Sequence, residues 1–160
     1  FLPRENPYTD VDYRRGFSLT FAEGRRNEYS PLTFLKTLNY ADCMLERRRA
    51  VAGGFDEAVF LNGRGEVCEG CASNLFFVRE GRLFTPKLCC GLLPGIVREV
   101  LLEWYDVAEE RIPAGDVGLF DECFLTNSLM GVMPAARLGE HCFKGREVAD
   151  RVRRRWSEVF

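Results

Sequence analysis

The chain has 160 residues, with 22 basic and 24 acidic side chains, a net charge of −2 and 46% hydrophobic residues. This length and composition are typical of one globular domain that buries its core without disulfides or metals. They exclude a disordered or fibrous chain. No apolar run is long enough to span a membrane, and the lack of net positive charge argues against general nucleic-acid binding.

The first predicted elements lie in residues 1–52. Residues 1–16, with two prolines and many polar side chains, predict an irregular lead-in. Residues 17–21 alternate and predict a strand, and residues 23–27 predict a loop. Residues 36–52 contain neither Gly nor Pro and predict a helix. Its expected buried face consists of Leu38, Ala41, Leu45 and Ala52, widened by Tyr40 and Met44.

A β-rich section is predicted after this helix. Segments 57–68 and 74–85 each contain two apolar runs around a Gly-containing turn and predict two hairpins. Strands in a run with helices at intervals predict an α+β domain with a mixed, barrel-like sheet. The remaining predicted elements are a helix over 96–104, strands over 109–112, 121–126 and 131–136, and a closing helix from about Glu147.

Seven cysteines, an odd number, lie mostly in apolar stretches, and nothing near Phe1 resembles a signal peptide. This usage predicts a reduced, cytoplasmic protein in which the thiols fill the core. Cys68 and Cys71 form a C-x-x-C pair, but a zinc site needs two further ligands and His141 is the only histidine. We therefore expect no metal site.

Amine chemistry could come from only three lysines, because the other nineteen basic residues are arginines. Lys87 and Lys144 lie in predicted turns and are expected to be solvated. Lys36 lies between Leu35 and Leu38, and a lysine in partly apolar surroundings can act as an amine nucleophile or proton carrier. The alternative is a lysine whose stem covers apolar surface while its ammonium group stays in water.

Three further segments could contribute to a site. Glu69 lies between two apolar strand segments and is either a buried carboxylate with a cationic partner or a surface turn residue. Residues 93–97 open a helix, whose free amides and dipole favour an anion. Residues 126–128 join two strands and offer amides and hydroxyl groups.

Four of these segments form an ordered set of motifs, Leu35–Tyr40 (LKTLNY), Glu69–Phe76 (EGCASNLF), Leu93–Arg98 (LPGIVR) and Thr126–Pro134 (TNSLMGVMP). Together they resemble the class IV aminotransferases, which are fold-type IV pyridoxal phosphate enzymes. The family includes branched-chain and D-amino acid aminotransferases and aminodeoxychorismate lyases. The resemblance implies the larger, C-terminal domain of the D-amino acid aminotransferase-like fold over residues 17–160. Residues 1–16 would be an interdomain segment, and the family's small N-terminal domain has no counterpart.

The resemblance also implies a role for each matching residue. Lys36 matches the lysine that forms a Schiff base with the cofactor and moves the proton at the reacting carbon. Glu69 matches the acid that faces the pyridine nitrogen, where a carboxylate keeps the ring an electron sink. Tyr40 matches a tyrosine beside the cofactor ring, with one residue fewer between it and the lysine.

A second group of residues matches the positions that hold the cofactor phosphate. Val97 stands where family members often have threonine, so one hydroxyl contact is expected to be missing. The implied contacts are the amides of Ile96 and Val97, the hydroxyl of Ser128 and the amide of Leu129.

The resemblance implies pyridoxal phosphate as cofactor, a small amino substrate and a homodimer. Residues 36–39 and 127–134 are closer to aminodeoxychorismate lyases, which release pyruvate and form the folate precursor 4-aminobenzoate. The alternatives are an amino acid transaminase, branched-chain or D-specific, and a non-catalytic domain that retains the fold. No nucleic-acid or membrane partner is expected.

Overall fold

The computed structural model describes residues 6–160, so residues 1–5 of the predicted lead-in lie outside the described part. Four helices are assigned there, α1 (Asp10–Arg15), α2 (Ala41–Ala52), α3 (Ile96–Trp104) and α4 (Glu147–Val159). The strands are β1 (Phe17–Arg26), β2 (Glu57–Asn62), β3 (Val67–Gly70), β4 (Asn74–Arg79), β5 (Arg82–Pro86), β6 (Val107–Glu110), β7 (Glu122–Asn127), β8 (Gly131–Leu138) and β9 (His141–Cys142). Short 3-10 helices cover Pro31–Phe34, Leu88–Cys90 and Ala114–Leu119.

These strands form one mixed sheet in the order β3-β2-β1-β8-β7-β4-β5-β6, with β9 beside β8. The pairs β1–β2, β1–β8 and β5–β6 are parallel, and the others are antiparallel. The two ends of the sheet approach each other, because the amide of Val67 donates to the carbonyl of Ile112 at 2.8 Å. The sheet therefore curls into the barrel-like α+β arrangement that the sequence predicts.

Strand β4 shows how the core is divided. Leu75 and Phe77 point into the cluster enclosed by the curled sheet, whereas Phe76 and Val78 point to the outer face, where α3 and α4 pack. This separation follows from the two-residue period of a strand. All four side chains are buried, and each contributes about 2 kcal/mol by leaving water.

The first predicted segments differ from the structure in two ways. The lead-in is not wholly irregular, because Thr9 and Asp12 form a capping box at the start of α1. Residues 23–27 are not a loop, since β1 continues to Arg26, with an irregularity in its pairing with β2 between Phe21 and Arg25. A bulge of this kind lets a strand continue through a Gly-containing stretch.

The predicted helix over 36–52 begins five residues too early. Leu35 is extended, and the hydroxyl of Thr37 accepts a hydrogen bond from the amide of Asn39 at 3.2 Å. Such local bonds compete with helix formation, so α2 begins only at Ala41.

The predicted buried face of that helix is also wrong. Leu38 is fully exposed, and half of Leu45 is exposed. The helix instead buries Cys43, Glu46 and Ala50, because Glu46 accepts hydrogen bonds from the amides of Glu23 and Gly24 on β1. A hydrogen-bonded carboxylate thus occupies the place expected for leucine.

Most later elements match their predictions. The main shift is β6, which spans Val107–Glu110 instead of 109–112. All seven cysteines are free thiols, and those of Cys68 and Cys71 are buried against backbone carbonyls. None of the helices within residues 6–160 has the length and apolar character needed to cross a bilayer.

Candidate active site

Glu69, at the centre of the site, is a buried residue of β3 with 6% of its surface exposed. Its Oε1 lies 2.9 Å from Nε of Arg26, and its Oε2 accepts a hydrogen bond from the amide of Leu93 at 3.0 Å. Of the two alternatives left by the sequence, the buried carboxylate with a cationic partner is confirmed. The Leu93 contact joins this carboxylate to the segment that leads into α3.

The environment of Glu69 opposes its ionisation. Burial raises the pKa of Glu69 to about 7, and the positive charge of Arg26 together with the Leu93 amide limits this rise. A carboxyl group with such a pKa can change its protonation state near neutral pH, which is common at functional sites.

Tyr40 lies beside this acid. Burial raises the pKa of Tyr40 to about 12, and the nearby negative groups of Cys43 and Glu69 add to the effect. Lys36 lies in the loop before α2, with Nζ 5.9 Å from the centre of the Tyr40 ring. The structure therefore places Tyr40 near Lys36 and within electrostatic reach of Glu69.

Lys36 itself is exposed, which differs from the partly apolar surroundings that one of the two sequence alternatives required. Leu35 is 57% exposed and Leu38 fully exposed, so neither neighbour covers it. The reason is the extended loop that replaces the predicted first helical turn. Lys87 and Lys144 are exposed loop residues, as predicted.

The start of α3 provides backbone donors. Within residues 6–160 the amides of Ile96 and Val97 have no hydrogen-bond acceptor, and Gly95 gives the helix no side-chain cap. A Cβ at Gly95 would lie 2.2 Å from Oδ1 of Asn74, whose amide group donates to the Leu93 carbonyl at 2.8 Å. Glycine therefore lets β4 approach the helix start closely and hold it in place.

The turn between β7 and β8 and the start of α3 line one cavity. Oδ1 of Asn127 accepts hydrogen bonds from the amides of Leu129 at 2.9 Å and Met130 at 2.8 Å. The Leu129 amide is thus already engaged, whereas Ser128 is exposed. Ile96, Val97, Ser128 and Leu129 all line one open cavity of about 560 Å³, which Trp156 and Phe160 of α4 close on one side.

Two buried hydroxyl groups next to this region are unsatisfied. Within residues 6–160, Oγ of Ser73 and Oγ1 of Thr126 have no hydrogen-bond partner. Thr126 pairs with Asn74 across β4 and β7, and Asn74 contacts the residues before α3, so the Thr126 hydroxyl lies near the helix start. Oγ of Ser73 lies beside Gly70 of β3 instead. Unpaired buried donors are rare in proteins. Together with the free amides of α3 and the buried acid, the unpaired Thr126 hydroxyl fits a ligand with a phosphate and a basic ring nitrogen.

The sequence pointed to Glu69, the start of α3 and the turn after β7 as candidates, but it assigned no role to Arg26, Asn74 or Asn127. Arg26 lay in a segment predicted as a loop, and its pairing with Glu69 joins residues 43 positions apart. The two asparagines stood within the quoted motifs without an assigned role. Asparagine side chains often hydrogen-bond to nearby backbone groups, and this tendency could have identified both residues.

The sheet and the flanking helices define an α+β domain whose fold is that of the fold-type IV enzymes. The domain superposes on the pyridoxal phosphate form of a branched-chain amino acid aminotransferase from Thermobaculum terrenum with a TM-score of 0.83 and 30% identity. The match covers 90% of this chain and 50% of that one. Residues 3–138 match the family described as amino-transferase class IV, and the chain belongs to that family.

Two relatives show its breadth. A "Probable branched-chain-amino-acid aminotransferase" of Thermotoga maritima is 35% identical over 144 residues, which cover 86% of this chain and 52% of the relative. An aminodeoxychorismate lyase of Vibrio harveyi is 31% identical over 127 residues, which cover 76% and 47%. The chain thus spans about half the length of these relatives. Enzymes of class IV use pyridoxal phosphate.

Proposed function

We propose that this chain forms the cofactor-binding part of a pyridoxal phosphate enzyme that acts on a small amino substrate through Lys36. The observation that carries the proposal is the hydrogen bond between the buried Glu69 and the segment that precedes α3, whose first amides are unpaired among the described residues. Glu69 accepts a hydrogen bond from Leu93, three residues before Ile96, at 3.0 Å. A single hydrogen bond therefore links the acid that would face the ring nitrogen to the short segment that carries the phosphate donors.

Several groups of this chain would hold the cofactor. The amides of Ile96 and Val97 and the hydroxyl of Ser128 would bind the phosphate, with the helix dipole favouring its negative charge. Glu69 would face the ring nitrogen and Tyr40 would lie beside the ring. The Leu129 amide would contribute only by sharing its hydrogen bond with Asn127.

Lys36 has two tasks in this proposal. Its exposed amine would bind the cofactor covalently until the substrate amine displaces it, and the freed Nζ would then take the proton from the substrate carbon that bears the amino group. When bound, pyridoxal phosphate withdraws electrons from that carbon, so a proton or a leaving group is lost more easily. Glu69 would sustain this effect by holding a proton on the ring nitrogen.

Within this chemistry, we propose aminodeoxychorismate lyase activity as the first candidate. The support is the sequence of residues 36–39 and 127–134, which is closer to that branch. Proton removal by Lys36 would be followed by loss of pyruvate, with 4-aminobenzoate as the aromatic product.

An amino acid transaminase is the second candidate, supported by the relatives that carry the name branched-chain aminotransferase. Here Lys36 would return the proton to a different carbon, and water would release a keto acid. Incubation of the full-length enzyme with 4-amino-4-deoxychorismate, and separately with an amino acid and 2-oxoglutarate, distinguishes the two. Pyruvate with 4-aminobenzoate supports the lyase, and glutamate formation supports the transaminase.

The role of Lys36 has a direct test. We expect added pyridoxal phosphate to give a visible absorbance band and borohydride reduction to fix the cofactor on the peptide that contains Lys36. Lys36→Ala should abolish the band, because no other amine lies beside Tyr40 and Glu69 among the described residues.

Lys87→Ala and Lys144→Ala are the matched controls, since both remove an exposed loop lysine, and both should keep the band. Labelling of Lys87 or Lys144 in the parent protein, or no labelling, would contradict the proposal. Labelling of Lys36 without turnover of either substrate would identify a binding domain that retains the fold.

A further inference from the structure

Arg26, the last residue of β1, is the point at which several parts of the site meet. Its Nε lies 2.9 Å from Glu69, and its Nη1 lies 2.9 Å from Asp42. Its Nη2 donates to Sγ of Cys43 at 3.0 Å, and the guanidinium group lies over the ring of Phe60 at 4.3 Å. Three different nitrogens are thus directed at two separate segments.

The two segments are those that carry the proposed chemistry. Glu69 belongs to β3, whereas Asp42 and Cys43 form the first turn of α2. That helix begins at Ala41, directly after the loop that holds Lys36 and Tyr40. One side chain therefore connects the buried acid to the start of the helix that ends the lysine loop.

The geometry makes arginine necessary at this place. The Glu69 contact is an ion pair more than a directed hydrogen bond, because the buried Nε has no partner at hydrogen-bonding angles. The other two nitrogens make directed contacts with α2. A lysine carries the same charge on a single nitrogen and cannot span both segments.

The charge of Arg26 has a second effect. A buried carboxylate without compensation takes up a proton, and Glu69 is buried. The positive charge of the guanidinium group opposes the rise in the pKa of Glu69 more strongly than any hydrogen bond does. An ionised Glu69 accepts the hydrogen bond of a protonated ring nitrogen, whereas a protonated Glu69 would donate one instead.

We propose that Arg26 is a positioning residue that limits the protonation of Glu69 and fixes the start of α2, and so the lysine loop, relative to that acid. The proposal rests on the proposed function for its catalytic meaning. It adds a residue outside the predicted site and assigns it two separable tasks, one of charge and one of geometry.

The charge task is tested by titrating Glu69 in the protein with ¹³C-labelled glutamate carboxyl groups, with Glu69→Gln identifying the signal. Arg26→Met keeps a long apolar side chain over Phe60 and removes the charge. We expect its Glu69 midpoint to rise by at least about one pH unit, a tenfold change in proton affinity. Arg26→Lys should restore most of this shift, and an unchanged midpoint in Arg26→Met would overturn the charge task.

The geometry task is tested by amide hydrogen exchange of residues 36–43. We expect exchange to be about tenfold faster in both Arg26 variants and in Asp42→Asn, because each loosens the contact with α2. Arg25→Met removes the neighbouring, exposed arginine and serves as the control with unchanged exchange. If the amides of residues 36–43 exchange as slowly in Asp42→Asn and Arg26→Lys as in the parent protein, the geometry task is overturned. These two variants decide the question even if Arg26→Met fails to fold.

The pH dependence of the cofactor's visible absorbance band is a further test, because a purely structural role of Arg26 would leave it unchanged. We expect it to shift in Arg26→Met and to return toward the parent profile in Arg26→Lys. Labelling of Lys36 with an unmoved Glu69 midpoint would refute the role of Arg26 and leave the proposed function standing. A moved midpoint without labelling of Lys36 would refute the function, and with it the catalytic meaning of the positioning role.

Discussion

Glu69 is a residue whose ionisation opposes folding. Burial raises the pKa of Glu69 from its ordinary value of 4.5 to about 7. The folded protein therefore binds this proton more tightly than the unfolded chain does. The resulting stabilisation is complete below about pH 4.5 and is lost as the pH rises through about 7.

Replacing Glu69 by Gln should remove this dependence. We expect the parent protein to lose on the order of 2 kcal/mol of unfolding free energy relative to the variant between about pH 5 and pH 8. Urea unfolding of both proteins across that range measures the difference, in which the contributions of all other groups cancel. Parallel pH profiles would show that Glu69 titrates normally in the folded state.

Glu66 behaves in the opposite way. Although burial opposes its ionisation, hydrogen bonds from Arg64, Asn62 and Arg111 lower the pKa of Glu66 to about 2. The stabilisation that Glu66 contributes to the folded state is present when the pH is above the ordinary pKa of a glutamate. It is lost as the pH falls toward the lowered pKa of Glu66. The two glutamates lie three positions apart, and only the folded structure distinguishes them.

At the scale of elements, α4 depends on a strand for its cap. Arg146 at its start provides no side-chain cap. Instead, the buried carboxylate of Glu122 on β7 accepts hydrogen bonds from the amides of Val148 at 3.1 Å and Ala149 at 2.9 Å. The negative charge at a helix N-terminus adds a favourable dipole interaction.

Replacing Glu122 by Ala leaves both amides unsatisfied and should cost about 2 to 4 kcal/mol, whereas Glu122→Gln keeps one acceptor and should cost about half of that. Urea unfolding measures both values. Glu147→Gln removes an exposed carboxylate from the same helical turn and should change stability by less than about 0.5 kcal/mol. Equal losses for Glu122→Ala and Glu147→Gln would mean that the charge near the helix, not the hydrogen bonding, matters.

A buried arginine fastens the neighbouring helix α3. Arg98 is 2% exposed, pairs with Glu109 near the end of β6 and donates to the carbonyl of Pro86 at the end of β5, at 3.1 Å. These contacts hold the helix whose first amides face the proposed phosphate site. The position of that site thus depends on the contacts of α3 with β5 and β6.

At the scale of the whole molecule, the proposed binding residues are spread over β3, α3 and the turn after β7. A ligand that touches all of them binds only the folded chain, so it stabilises by mass action. The exposed side chains of Tyr29, Leu32, Leu35 and Met44 accord with the homodimer that the family resemblance implies, which stays a prediction.

We expect pyridoxal phosphate at about one hundred times its dissociation constant to add about 2.7 kcal/mol and to raise the melting temperature by roughly 5 to 11 °C. Differential scanning calorimetry measures the shift. Pyridoxal without the phosphate should give a much smaller shift in the parent protein, and Lys36→Ala should reduce the shift produced by the phosphate form. Equal shifts with both compounds would contradict a phosphate site at α3.

The sequence by itself determined the α+β class, most strand positions and the family, since these depend on local apolar periods and on motifs such as Leu93–Arg98. It did not determine where α2 begins, because the Thr37 hydroxyl and the extended Leu35 compete locally with a helix that propensity favours. The burial of Glu46 in place of Leu45 depended on backbone donors of β1. Arg26 met Glu69 only through the sheet, since β1 and β3 both pair with β2. Periodicity is a property of neighbours along the chain, whereas the charge balance of a buried site is set by residues that the fold brings together.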